Sequence, residues 1–129
     1  MEPLFIAASP TSPEVDFRFD QHTLSIKGES YPENAAAFYG PVIARVQAYL
    51  DNCRQAEITV HVSLAYFNSS STKMLFSFFE ALNNAAMAGN QVHLNWYHDE
   101  DDDTILEFGQ ELQDDFGALE FHDHAVSNQ

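Results

Sequence analysis

Between Glu57 and Leu82 the hydrophobic period of the chain changes once, and that change constrains the local architecture more than any other feature. Ile58, Val60, Val62 and Leu64 alternate with Glu57, Thr59, His61 and Ser63, the period of a strand with one buried face. Further on, Met74, Leu75, Phe78, Phe79 and Leu82 recur at helical spacing. The segment between them, Tyr66-Phe67-Asn68-Ser69-Ser70-Ser71-Thr72-Lys73, is therefore a strand-to-helix turn. Its four hydroxyls sit close to the positive end of a helix dipole. Such hydroxyls have two compatible uses. They cap the helix, worth roughly 1 kcal/mol, or they present an acceptor to a kinase, since a phosphate changes charge without any catalytic machinery.

Alternation recurs elsewhere and carries the fold class. Thr23, Ser25 and Lys27, and then His93, Asn95 and Tyr97, give further strands a polar face. Parallel strands covered by helices on both faces read instead as continuous apolar runs. The pattern predicts an α/β domain of two layers, α+β-like, in which helices pack on one face of a mixed sheet and the other face is solvated. Around this core the sequence predicts a short edge strand over 4–8 and a hairpin over 15–19 and 23–27. A loop at 28–34 leads into a helix of about twenty residues, carrying Phe38, Val42, Ile43, Val46, Tyr49 and Leu50. Gly40-Pro41 either kinks that helix or marks its start. A second helix is expected over roughly 71–88, stopped by Gly89. A strand through Val92, Leu94 and Trp96 follows, then a helix on Ile105, Phe108 and Leu112, and a final strand over 118–121.

The 129 residues suit a single domain, 1–129, able to bury one core. A hydrophobic share of 45% with 11 Phe excludes a disordered tail. Five Lys+Arg against 20 Asp+Glu give a formal charge of −15, which argues against nucleic acid or an anionic membrane as partner. A basic protein surface suits it better. The run Asp99 to Asp103 reads as a solvated loop. Lone Cys53 excludes an internal disulfide framework, and no segment approaches the roughly 18 apolar residues of a membrane span. Together with the absence of a leader pattern at Met1, this predicts a cytoplasmic protein.

No enzyme motif emerges. Five glycines scattered through the chain supply no phosphate-binding loop, and Cys53, near a helix end, reads as a structural cysteine, inert without an activating partner. His61 and His93 share the polar sheet face, and His122 and His124 fall on one side of the last strand. None of these has the four-ligand spacing of a structural zinc site, so solvated histidines are the expectation and no metal or other cofactor is assigned.

Three segments together resemble the SiaC family of bacterial regulatory phosphoproteins, small acidic domains linked to biofilm and cyclic-di-GMP control. They are Gly28-Glu29-Ser30-Tyr31-Pro32-Glu33-Asn34, the serine turn Tyr66 to Lys73, and Val92-His93-Leu94-Asn95-Trp96-Tyr97-His98-Asp99. The resemblance covers residues 3–122 and implies a switch, with no enzymatic activity of its own. It implies a helix-on-sheet fold distantly similar to anti-sigma-factor antagonists (STAS-like domains). It also implies a phosphoacceptor at the start of a helix, charged by a kinase of the histidine-kinase-like ATPase fold and discharged by a PP2C-type phosphatase. The unphosphorylated form would bind a signalling partner, a diguanylate cyclase or another protein. Aligned on Phe67-Asn68-Ser69-Ser70-Ser71-Thr72-Lys73, the acceptor is Ser69, where the family pattern carries Thr; Ser70 and Ser71 become competitors. Tyr31, Glu33, Asn34, Tyr66, Phe67 and Asn68 flank it as the expected partner-binding residues, since aromatics dominate interface hot spots. The alternative from another class is a small ligand-binding domain or enzyme using His61, His93 and Tyr97 on the polar face.

Overall fold

The computed structural model describes residues 1–127. Six strands form one sheet in chain order: β1 (Leu4–Ile6), β2 (Glu14–Arg18), β3 (Thr23–Ser30), β4 (Glu57–Phe67), β5 (Gln91–Asp99) and β6 (Glu120–Val126). The first three pair antiparallel, and β3 through β6 run parallel. Three helices make the parallel crossovers: α1 (Ala35–Asp51), α2 (Ser69–Met87) and α3 (Asp103–Asp115). Because strand order follows chain order, right-handed crossovers lay all three helices on the same face.

The expected two layers follow from the alternation. Val15, Phe17, Leu24, Ile26, Ile58, Val60, Val62, Leu64, Val92, Leu94 and Trp96 are buried beneath the helices. Their neighbours Ser25, Thr59, His61, Ser63, His93, Asn95 and Tyr97 are only half-buried on the other face. From the helical side, Tyr39, Val42, Val46, Leu75, Phe78, Phe79 and Leu82 complete the core. Several boundaries move. A 3-10 turn at Phe19–Gln21 links β2 to β3, with His22 in the left-handed region. Gly40-Pro41 does not start α1, since Asn34 caps it and Pro41 lies inside. The last strand is longer than 118–121 and carries His122 and His124 in its body.

Two irregularities shape the C-terminal ends of the parallel strands. Gly28 pairs with Leu64 but Glu29 pairs with Tyr66, so Ala65 is a bulge residue in β4. The extra residue reverses the alternation. Phe67 turns inward onto Phe108, at 4.7 Å between ring centroids, and Trp96, at 6.4 Å, while Tyr66 is left 50% exposed. The run Asp99 to Asp103 is also more than a solvated loop. Asp99 Oδ1 accepts from the Asp101 amide at 2.8 Å, and Asp102 caps α3 through Ile105 N at 3.1 Å.

Candidate phosphorylation and partner-binding site

The site lies where the C-terminal ends of β3 and β4 meet the starts of α1 and α2. Asn68 is the N-cap of α2: its side-chain oxygen accepts from the Ser71 amide at 2.9 Å, and its carbonyl from the Thr72 amide at 2.9 Å. Capping therefore belongs to Asn68, and the serines occupy the first three helical positions. Helix geometry gives the first amides no intrahelical acceptor. Asn34 does the same for α1, accepting from Ala37 N at 3.0 Å. Both asparagines expected at the partner surface thus hold helix starts.

The three serines part company by burial. Ser69 and Ser70 are exposed. Ser71 is 0% exposed and accepts a hydrogen bond from Ser30 Oγ at 2.8 Å, across the β3–α2 junction. Ser30, itself fully buried, also meets the Tyr39 hydroxyl. Burial pushes the Tyr39 phenol above its ordinary range despite that hydrogen bond, so it stays neutral and can donate. The result is a hydroxyl chain Tyr39–Ser30–Ser71 that ties α1, β3 and α2 together. The sequence offered only a weak signal for it, Ser30 in the Glu-Ser-Tyr-Pro loop. A buried Ser71 presents no hydroxyl to a kinase. Among the described residues, the Ser69 hydroxyl has no hydrogen-bond duty.

Beside the turn, Tyr31 and Tyr66 are 38% and 50% exposed and meet edge to face at 5.8 Å between centroids. The Tyr31 amide donates to Thr11 O at 2.8 Å, and the Asn68 amide to Ser30 O at 3.0 Å, so the two loops are braced. Glu33 is exposed. Phe67 is half-buried in the Trp96–Phe108 cluster and belongs to the core edge.

The residues of the alternative site are dispersed in role. His61 Nδ1 meets the Tyr97 hydroxyl at 2.9 Å, and burial, with repulsion from His124, holds His61 below its ordinary pKa. His93 instead contacts Glu57, Glu120 and His122. An open groove of about 680 Å³ reaches Tyr97, with Leu64, Asp99, Asp102 and Ile105 in its wall, but includes neither His61 nor His93. Among the described residues, no helix is long and apolar enough to cross a membrane.

The model of the SiaC family of regulatory phosphoproteins matches residues 6–126. An uncharacterized protein of Pseudomonas aeruginosa (strain UCBPP-PA14) is 29% identical over 126 residues, covering 95% of this chain and 99% of its own length. The crystal structure of apo-SiaC from P. aeruginosa superposes with a TM-score of 0.88 at 29% identity, covering 97% of this chain and 100% of that one. A second match comes from the crystal structure of the P. aeruginosa diguanylate cyclase SiaD in complex with its activator SiaC. It has a TM-score of 0.88 at 28% identity, covering 95% of this chain and 99% of that one. With nearly the whole chain matched in sequence and in fold, this protein belongs to the SiaC family of regulatory phosphoproteins, a regulator and not an enzyme.

Proposed function

We propose that this protein binds and activates a diguanylate cyclase, and that phosphorylation of Ser69 ends the contact. The observation that carries the reading is the division of labour in one turn. Asn68 caps, Ser71 is buried, and Ser69 is exposed at the first position of α2 with no structural duty. The family match supports a regulator, and the complex of the relative SiaC with SiaD supports the class of partner. In this reading a kinase of the histidine-kinase-like ATPase fold and a PP2C-type phosphatase set the state of Ser69. The protein works in the cytoplasm, where its target and ATP meet.

The physics of the position suits a binary output. A phosphate adds about −1.5 to −2 charges, and the first-turn amides of α2 with the helix dipole offset part of that locally, by roughly 0.3–1 kcal/mol. The fold therefore accepts the modification. A partner seated over Tyr31 and Tyr66 does not, because closing the interface strips water from a dianion, at a cost of several kcal/mol. Stability stays level while affinity falls at least about a hundredfold.

The test is phosphosite mapping after incubation with the kinase, followed by calorimetric titration of the cyclase with both forms. Phosphate on Ser69 and loss of cyclase binding are expected, with Ser69→Ala neither labelled nor impaired in binding. Labelling of Ser69→Ala at Ser70 would move the acceptor by one residue. Equal affinity of the two forms would reduce the turn to a helix start.

A further inference from the structure

At the opposite end of the parallel strands from Ser69, β5 and β6 bring His93, Glu120 and His122 together on the open face of the sheet. The pairing register sets this, with His93 opposite Glu120 and Asn95 opposite His122. One ligand atom from each of the three lies within 4.8 Å of the others. His93 Nδ1 stands 3.3 Å from His122 Nε2 and 2.9 Å from Glu120 Oε2. Two nitrogens and a carboxylate oxygen at about 2.0–2.1 Å around a tetrahedral ion stand roughly 3.3 Å apart. The His93–His122 pair stands at that spacing, His93–Glu120 is somewhat shorter at 2.9 Å, and all three donors lie within 4.8 Å of one another.

The surroundings point the same way. The other ring nitrogen of His93, Nε2, is 3.3 Å from Glu57 Oε2 on β4. A carboxylate behind a metal-binding histidine fixes its tautomer and turns the opposite nitrogen's lone pair toward the ion. Gln91 Nε2 donates to both oxygens of Glu120 at 3.2 Å and orients that carboxylate. Imidazole with carboxylate suits a borderline transition metal better than Mg²⁺ or Ca²⁺, which take oxygen. A chain of formal charge −15 concentrates such cations near its surface.

We propose that His93, His122 and Glu120 form a binding site for a divalent transition metal of the zinc class, with Glu57 positioning His93 from behind. Three protein ligands leave the fourth position open to water or to a donor from another molecule. The site is independent of Ser69 and of the cyclase reading.

The experiment is calorimetric titration of the tag-free full chain with Zn²⁺, supported by circular dichroism to check folding. One saturable site in the micromolar range is expected, undisturbed by millimolar Mg²⁺. His122→Ala, at an exposed position, should weaken it at least tenfold, as should His93→Ala. Glu57→Gln touches no metal and should still cost about tenfold through the tautomer of His93. His124→Ala, on the same face but bonded to Asn95 at 2.9 Å, should leave affinity unchanged. Absence of saturable Zn²⁺ binding, or binding that survives both His93→Ala and His122→Ala, would overturn the assignment.

Discussion

Replacing Ser71 with Ala separates the structural serine from the signalling one. The substitution removes the oxygen that accepts from Ser30 Oγ at 2.8 Å, at a place where both residues are fully buried. The Ser30 hydroxyl then keeps the Tyr39 contact but loses its acceptor, and the space vacated by one hydroxyl is too small to admit a water, which needs roughly 10–15 Å³. A buried donor left unmade costs about 1–3 kcal/mol. For 129 residues at about 2.1 cal/mol/K each, the unfolding entropy is ~0.27 kcal/mol/K, so each kcal/mol moves the midpoint by ~4 °C. Ser71→Ala should therefore melt about 4–11 °C below the parent. Ser69→Ala is exposed and leaves the Asn68 cap in place, so its change should stay within ~0.5 kcal/mol, about 2 °C. Differential scanning calorimetry on the two variants measures both. An unchanged midpoint for Ser71→Ala, or a matching loss for Ser69→Ala, would refute the division of roles in this turn.

Three other regions yield predictions whose sign depends on tertiary packing. Gly109→Ala in α3 should gain about 1 kcal/mol by helix propensity alone. Its Cβ, however, would stand 2.6 Å from two atoms of the buried Trp96 ring and 3.2 Å from Phe121, so a net loss of about 1–3 kcal/mol is expected in urea unfolding, and a stabilised variant would contradict the packing argument. Both ring nitrogens of His98 face acceptors, Asp99 O at 3.0 Å and Asp123 Oδ1 at 3.0 Å. Burial pulls its pKa down, but the Asp123 hydrogen bond, the Asp99 carbonyl and the charges of Asp123 and Asp102 outweigh it and hold the pKa above the ordinary 6.5. The stabilisation is then complete below the unfolded pKa and is lost as pH rises through the folded one. The stability gap between parent and His98→Gln should accordingly narrow from pH 6 upward in a pH series of denaturation curves, and a widening gap would reverse the sign. Tyr66→Ala should weaken the cyclase complex at least about tenfold with the midpoint nearly unchanged, whereas Phe67→Ala should destabilise the fold by about 3 kcal/mol, as paired calorimetry and binding titrations would show.

Much of the architecture was legible because it is written in local periods. Alternation in Glu57–Leu64 and Gln91–Tyr97 gave the one-sided sheet, and helical spacing from Met74 to Leu82 gave α2. The change of period placed the start of α2 near 71, two residues beyond the observed Ser69, because the hydroxyls were read as the cap that Asn68 in fact supplies. Composition argued against a basic nucleic-acid surface without any geometry, because net charge is a sum over residues.

What the sequence alone left open depends on register and on depth, which are relations between distant segments. Strict alternation from Leu64 would turn Tyr66 inward and Phe67 outward; the bulge at Ala65 does the reverse, and it exists only through the pairing of β4 with β3. Three adjacent serines look equivalent in a string, yet a helix turns each by about 100°, and only the packing of α2 on β3 decides that Ser71 meets Ser30 while Ser69 meets water. His93 and Glu120 are neighbours for the same reason: parallel strands joined through α3 fix which residues of β5 and β6 lie abreast. Local periodicity is a property of one segment's own residues, so the chain states it directly. Contacts between segments are set by how the whole core closes, and only the tertiary structure decides them.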